Sequence, residues 1–511
     1  MTRFMTAGNV EVRAADPVGG APRRRFLPRS LSSGSLFLPV SALALAFNLW
    51  GLSRGDSMWR DESVTYQVAH RSVPEIWGLL HHFDAVHGAY YFLMHALFAV
   101  WDGGLWTMRL PSAVAMSVCA GLVAITGMRL VGRRVGVLAG LSCTLIPVVQ
   151  MYAQEGRSYA LVAAFVALST YLLVRAVERP GRGVWAGYAA ALLCAVYLHE
   201  FAVLCLLAHG VTVLAAPVPA RVRRAWAAAA AVVAVAALPL VAISLGQSGQ
   251  VSWIGMPSGR DWLVIGAVTV IGLTGARAAA SGQARGSVTL PRLALPLLLL
   301  PTAALLLVSL HDPVYLDRYV LYSNIGLALL VAAGIDALAR KLSHTGIRGR
   351  TVPEGFAAGA ICALIVAALL PVTLQMRTPE SRKDDVTAIA ETVRRMSAGG
   401  DAVLYMPARR REWAMSYEDD YRGLRDIALR ESPVRSETLQ GTEEPAAVIR
   451  QRMLAGTRIV ALMDPEGQPL DPYPQEAVKR TTLSRAFTEC ARAQVKGAQV
   501  VLYARPGHCG S

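Results

Sequence analysis

His87-Gly88-Ala89-Tyr90-Tyr91-Phe92-Leu93-Met94-His95-Ala96-Leu97-Phe98-Ala99-Val100-Trp101 is the stretch on which the fold turns. It is apolar enough to enter a bilayer, yet shorter than the roughly 17–25 residues of most crossing helices. If it crosses, the loop Gly132-Arg133-Arg134 and most later basic loops fall outside the cytoplasm. If it lies along the membrane surface, every basic loop returns to the cytoplasmic side, where Lys and Arg are enriched. Several loops outweigh one short segment, so the stretch reads as a flat juxtamembrane helix.

Outward from it, the chain is a series of apolar blocks. The first span runs from Leu36 to Leu52, after the basic Arg23-Arg24-Arg25. Further spans are expected near 107–131, 135–151, 157–177, 183–199, 201–215, 225–245, 261–276, 293–310, 319–339 and 355–374. This gives an α-helical polytopic membrane protein of about eleven transmembrane helices, N-terminus cytoplasmic and C-terminus extracytoplasmic. Hydrophobic residues make up 54% of the 511 and charged residues only 17%, which excludes an ordinary soluble core. The net charge of +15 is concentrated in Arg133-Arg134, Arg221 with Arg223-Arg224, Arg340-Lys341, Arg348 and Arg350. Cytoplasmic loops account for that charge, and nucleic acid is not needed as a partner.

Three regions follow: a disordered basic arm over 1–35, a transmembrane domain over 36–374, and an extracytoplasmic soluble domain over 375–511. In the last, Asp385 to Met396 has helical spacing, whereas Ala402 to Tyr405, Arg458 to Met463 and Gln499 to Tyr503 read as buried strands. Helices alternating with strands suggest a small α/β domain. Cys119, Cys143, Cys194, Cys205 and Cys362 lie in apolar blocks as small hydrophobes. Cys490 and Cys509 can pair if the tail is outside the cytoplasm. There is no Gly-rich phosphate loop and no internal repeat.

Candidate chemistry collects in the loops that this threading places outside. Met58-Trp59-Arg60-Asp61-Glu62-Ser63 follows span one, and adjacent carboxylates at a membrane surface are costly unless solvated or used. The bland alternative is that Asp61 caps a helix beginning at Glu62. Glu155 and Arg157 join two spans, His199 and Glu200 interrupt another pair, and Asp312, Asp317, Arg318 and Tyr319 fill a later turn. Glu155 could merely pair with Arg157, and Arg318 with Asp317 or Asp312. His81, His82, Asp84 and His87 leave a divalent metal open, though their spacing matches no standard ligand pattern and no cofactor is required.

These pieces, in this order, resemble the GT-C-type membrane glycosyltransferases, in the branch of the protein O-mannosyltransferases and lipid A aminoarabinose transferases. The matching residues are Trp59-Arg60-Asp61-Glu62, His87 to Tyr91, Arg109-Leu110-Pro111-Ser112, Gly132-Arg133-Arg134-Val135-Gly136, Gln154 to Leu161, and Asp317-Arg318-Tyr319. The chain departs from the family at Glu155-Gly156-Arg157, where Ala usually stands for Gly156, and the glycine is expected to loosen that turn. The resemblance implies juxtamembrane helices in the first loop and a polyprenyl-phosphate-sugar donor, with the first-loop acid, here Asp61, as catalytic base. Glu62 would assist it, and Arg157 and Arg318 would meet the donor phosphate, with His199, Glu200, Glu155, Tyr319 and His87 about the sugar.

The chemistry then reads as inverting transfer of a sugar to an extracytoplasmic hydroxyl of a protein, lipid or glycan. Mannose is favoured by an Arg-, Ala- and Gly-rich composition typical of a high-GC source. Two other readings stand beside it. A lipid or solute transporter, or a flippase, would carry repeats and midplane charges. A non-catalytic envelope scaffold would tolerate loss of Asp61.

Overall fold

The computed structural model describes residues 34–251, 253–280, 286–345 and 352–509. The arm expected over 1–35 lies almost wholly outside the described residues. Helix α1 (Gly34–Leu49) leads into a first loop that holds α2 (Arg60–Ala69), α3 (Val73–His82) and α4 (Gly88–Val100). Helix α5 (Leu105–Leu130) crosses back and packs on α6 (Arg133–Leu145). Their close approach needs a glycine: a Cβ on Gly136 would stand 2.6 Å from the Ala124 carbonyl oxygen. Helix α7 (Pro147–Ala153) continues α6 after a bend of 67°. Pro147 has no amide hydrogen, and it drives the preceding Ile146 to an extended ψ of 123°.

The bundle continues with α8 (Tyr159–Glu178), α9 (Arg182–Leu198), α10 (Cys205–Ala215), α11 (Ala220–Gly246) and α12 (Gly259–Ala280). It closes with α13 (Leu290–Ser309), α14 (Asn324–Thr345) and α15 (Glu354–Gln375). Among the described residues, seven helices are long and apolar enough to cross a membrane, and the bent α6–α7 pair makes an eighth. The shorter apolar α1, α9 and α10 fill the other expected spans. Helix α4, whose sequence opened the question, packs on α2 and α3 of its own loop and on the end of the bundle at α9 and α5.

After α15 the chain builds a mixed sheet. Helix α16 (Val386–Met396) starts where Asp385 accepts from the Ala388 amide at 3.1 Å, and it ends on Arg394 and Arg395, which suit a helix C-terminus. It is followed by β1 (Ala402–Met406), α17 (Arg411–Ala414), β2 (Arg425–Asp426), β3 (Leu429–Glu431), β4 (Thr442–Glu443), α18 (Ala446–Ala455), β5 (Arg458–Met463), α19 (Pro474–Ala486), β6 (Thr488–Val495) and β7 (Ala498–Ala504). The five-stranded order is β2-β1-β5-β7-β6, with β1 parallel to β5 and β7 antiparallel to both its neighbours.

Alternation along β1 divides the core. Val403 and Tyr405 face α16, whereas Ala402, Leu404 and Met406 face α18 and α19. Both faces are covered, so β1 and β5 read as continuous apolar runs. Strand β6 was not expected from sequence: as an exposed edge it carries Thr488, Glu489, Arg492 and Gln494 and shows no hydrophobic signal. Cys490 on this edge is joined to Cys509 in a disulfide, Cα–Cα 5.4 Å.

Candidate active site

The first loop is fixed by one buried carboxylate. Glu62, in the first turn of α2, accepts from Arg54 Nη2 at 2.9 and 2.8 Å and from Arg109 Nε and Nη2 at 2.8 and 2.7 Å. The Gly156 amide donates to the same group at 3.0 Å. Arg109 uses its remaining donors on the carbonyls of Leu52, Ser53 and Ser57, so a guanidinium inside α5 clamps the loop that follows α1. Burial would raise the Glu62 carboxyl, but Arg109 and Arg54 hold it down at about 2. Its oxygens are fully engaged in this network, which makes Glu62 a residue that positions α2.

Asp61 is different. The helix is capped at Trp59, so Asp61 lies inside the first turn and does not cap it. Its side chain retains 13% exposure, and Oδ2 lies 3.5 Å from Arg318 Nη2. Burial works against its charge, yet Arg318, Arg157 and Arg60 outweigh that and hold the carboxyl below its usual range. It is therefore ionised and open to a ligand.

Arg157 reaches the same place from the turn between α7 and α8. Its Nη1 lies 3.4 Å from the Asp61 carbonyl oxygen and from Thr65 Oγ1, and its Nη2 donates to His87 Nε2 at 2.6 Å. Arg157 does not pair with Glu155. Instead of loosening the turn, Gly156 tightens it: a Cβ there would meet Met108 Cγ at 2.3 Å, and the Arg157 amide closes on the Glu155 carbonyl at 2.8 Å. Only a residue without a side chain lets this turn seat against α5 and Glu62.

Arg318 stands 5.8 Å over the rings of both Tyr159 and Tyr319. His199 completes this wall, 4.6 Å from Tyr319, 5.5 Å from Tyr159 and 5.8 Å from His87. Asp61, Arg157, Arg318, His87, His199 and Tyr319 thus form one cluster drawn from five separate stretches of chain. Glu200 is directed elsewhere and accepts from Ser244 Oγ at 2.8 Å. Glu155 is buried beside Arg382, Oε2 to Nε 3.4 Å, and burial pushes its carboxyl up to about 7.

The histidine group of the first loop is dispersed. His81 bonds the Trp77 carbonyl, His82 pairs with Glu437, Asp84 accepts from Tyr91, and His87 takes Arg157. Among the described residues no three His, Cys, Asp or Glu side chains have the grouping of a metal site.

The C-terminal domain supplies residues that sequence reasoning did not name. Asp384 Oδ1 accepts from the Arg60 amide at 2.6 Å, Arg382 enters the bundle, and Glu412 on α17 lies against α2. Arg54 and Arg109 were also missed as site residues. A charge inside an apolar span was the available signal for Arg109, but nothing near Arg382 or Glu412 announces contacts reaching more than 200 residues back.

Residues 89–243 match the family described as dolichyl-phosphate-mannose-protein mannosyltransferase. No curated protein matches the chain. Among solved structures, ArnT from Cupriavidus metallidurans in the apo state superposes with a TM-score of 0.55 at 13% identity, over 92% of this chain and 98% of that one. The chain has the GT-C fold. The same enzyme bound to undecaprenyl phosphate gives the same TM-score, identity and coverage. An oligosaccharyltransferase from Archaeoglobus fulgidus superposes at 0.49 with 9% identity, over 84% of this chain and 70% of that one. In fold and in the family signature of residues 89–243, this GT-C chain is a multi-pass membrane glycosyltransferase.

Proposed function

We propose that the chain moves a sugar, mannose in the first instance, from a polyprenyl-phosphate donor to a hydroxyl of a protein, lipid or glycan outside the cytoplasm. The observation that carries this reading is the accessible Asp61 carboxylate held 3.5 Å from Arg318, with Arg157 beside it. An acceptor hydroxyl is a poor nucleophile, and a carboxylate in reach takes its proton as attack proceeds. The acceptor oxygen bonds to the anomeric carbon while the bond from that carbon to the phosphate oxygen breaks. The phosphate departs with the electron pair as polyprenyl phosphate, and the proton resides on Asp61. Attack opposite the leaving group inverts the anomeric centre. Arg157 and Arg318 offer fixed positive charge where negative charge develops on the departing phosphate, and His87, His199 and Tyr319 wall the sugar.

The mannosyltransferase signature of residues 89–243 supports mannose, and undecaprenyl phosphate bound to ArnT supports the donor type. The Cys490–Cys509 disulfide suits an oxidising compartment, and Arg133-Arg134 and Arg340-Lys341 lie at the other end of the bundle, as a cytoplasmic face would have it. The experiment is transfer of radiolabelled mannose from polyprenyl-phosphate-mannose by membranes holding matched amounts of wild type or Asp61→Asn. A loss of about 10²- to 10⁴-fold in the variant is expected. Equal rates would remove Asp61 from the mechanism, and no transfer by wild type would move weight to another donor sugar or to a transporter.

A further inference from the structure

Helix α17 is too short to be a binding element by itself, but it is sewn onto α2 next to Asp61. Ser416 Oγ donates to the Ser63 carbonyl at 3.0 Å, and the two serine hydroxyls meet at 2.7 Å. The Glu412 carbonyl accepts from Gln67 Nε2 at 3.4 Å and from Ser63 Oγ at 3.5 Å. Two residues after Asp61, therefore, the first loop and the C-terminal domain share a seam.

The side chain on that seam has no structural task. Glu412 is 8% exposed, and among the described residues its carboxylate makes no hydrogen bond and no ion pair. Glu62, by contrast, is held by Arg54, Arg109 and the Gly156 amide. The charges that bear on Glu412 are Arg60, Asp61 and Asp84 of the first loop and Arg410 of its own domain, so it shares the surroundings of Asp61. Burial pushes its carboxyl up to about 7. Unlike the enclosed oxygens of Glu155, those of Glu412 stay open to the space beside them, and ionisable groups placed so gather at functional sites.

Resting on the transferase reading above, we infer that Glu412 binds the acceptor: it hydrogen-bonds a second hydroxyl beside the one Asp61 deprotonates, which makes the acceptor a sugar with neighbouring hydroxyls. A lone Ser or Thr hydroxyl would leave Glu412 as unpartnered as it is now. On this view the C-terminal domain is a wall of the acceptor site. Acceptor choice is then divided between two parts of the chain, with the proton taken by the first loop and the neighbouring hydroxyl recognised from α17.

The test uses the full-length protein in membranes, polyprenyl-phosphate-[³H]mannose as donor, and two acceptor probes, octyl α-mannoside and a Ser/Thr-containing peptide. Wild type is expected to label the mannoside and not the peptide. Glu412→Gln should raise the KM for the mannoside tenfold or more while the KM for the donor stays within twofold, and Glu412→Asp should recover part of the loss. The unchanged donor KM shows that the variant is folded. A mannoside KM unaltered in Glu412→Gln, labelling of the peptide in its place, or labelling of neither probe would overturn the inference. The transferase reading is judged separately, by Asp61-dependent release of label from the donor into water.

Discussion

The two ends of the helical bundle handle charge in opposite ways. At the end that meets the C-terminal domain, Arg54, Arg109 and Arg382 are almost fully buried, each against a buried glutamate. At the other end Arg134 bridges Asp336 and Glu354, and Arg340 also reaches Asp336, but both guanidiniums stay more than a third exposed. Arg129 and Glu178 pair there at 2.6 Å, again partly in water. A charge left half in water needs little from its partner, whereas a charge removed from water must be compensated almost completely. The first end is therefore a polar framework buried on both sides of each pair, whereas at the second the guanidiniums stay solvated around one buried carboxylate, Asp336.

Breaking the framework should show the larger effects. Glu62→Ala strands Arg54 and Arg109 without their anion, and a loss of about 3–5 kcal/mol is expected, read as a collapse of the thermal unfolding midpoint in detergent. Acid probes the same bond: Glu62 has a folded pKa of about 2 against an ordinary value of 4.5. Its contribution is complete above about pH 4.5 and is lost as the pH falls toward 2, so unfolding followed by pH should lose a carboxylate-linked step in Glu62→Gln.

Next in size, Arg318→Gln should lower kcat by about 10²- to 10³-fold, as loss of a donor to a developing anion does elsewhere. It also sharpens the comparison through pH. Arg318 leads the charges that hold Asp61 below its ordinary 3.8, so wild-type kcat/KM should not fall on Asp61's account between pH 8 and 5. Without Arg318, burial gains weight and the acid limb should move upward; an unmoved limb would show that another group limits the rate. The smallest effect belongs to the far end, where in Arg134→Gln the buried Asp336 keeps Arg340, so stability should change by no more than about 1 kcal/mol and transfer should stay intact. A collapse there comparable to Glu62→Ala would show that the two ends are not different in kind.

Much of this was legible without coordinates, and the reason is the membrane. Apolar runs of fixed length, Arg clusters at alternate boundaries and the short His87–Trp101 stretch set the spans and brought Asp61, Arg157, His199 and Arg318 to one end. Hydrocarbon permits few alternatives to a helix, so length and charge suffice. The buried strands β1, β5 and β7 were readable for a similar reason, since both faces of the sheet are covered.

What the sequence could not decide was which of two adjacent carboxylates is free. In residue chemistry Asp61 and Glu62 are equivalent, and only the family resemblance favoured Asp61; in the structure Glu62 turns toward Arg54 and Arg109, leaving Asp61 to face Arg318. Nor could spacing show that Gly156 is demanded by Met108, or that Glu412 lies against α2. Apart from Arg54 with Glu62, those contacts join residues tens to hundreds of positions apart, and they depend on side-chain direction, close packing and the docking of a second domain. Local pattern records which residues must be buried; only the tertiary structure decides what each buried charge meets there.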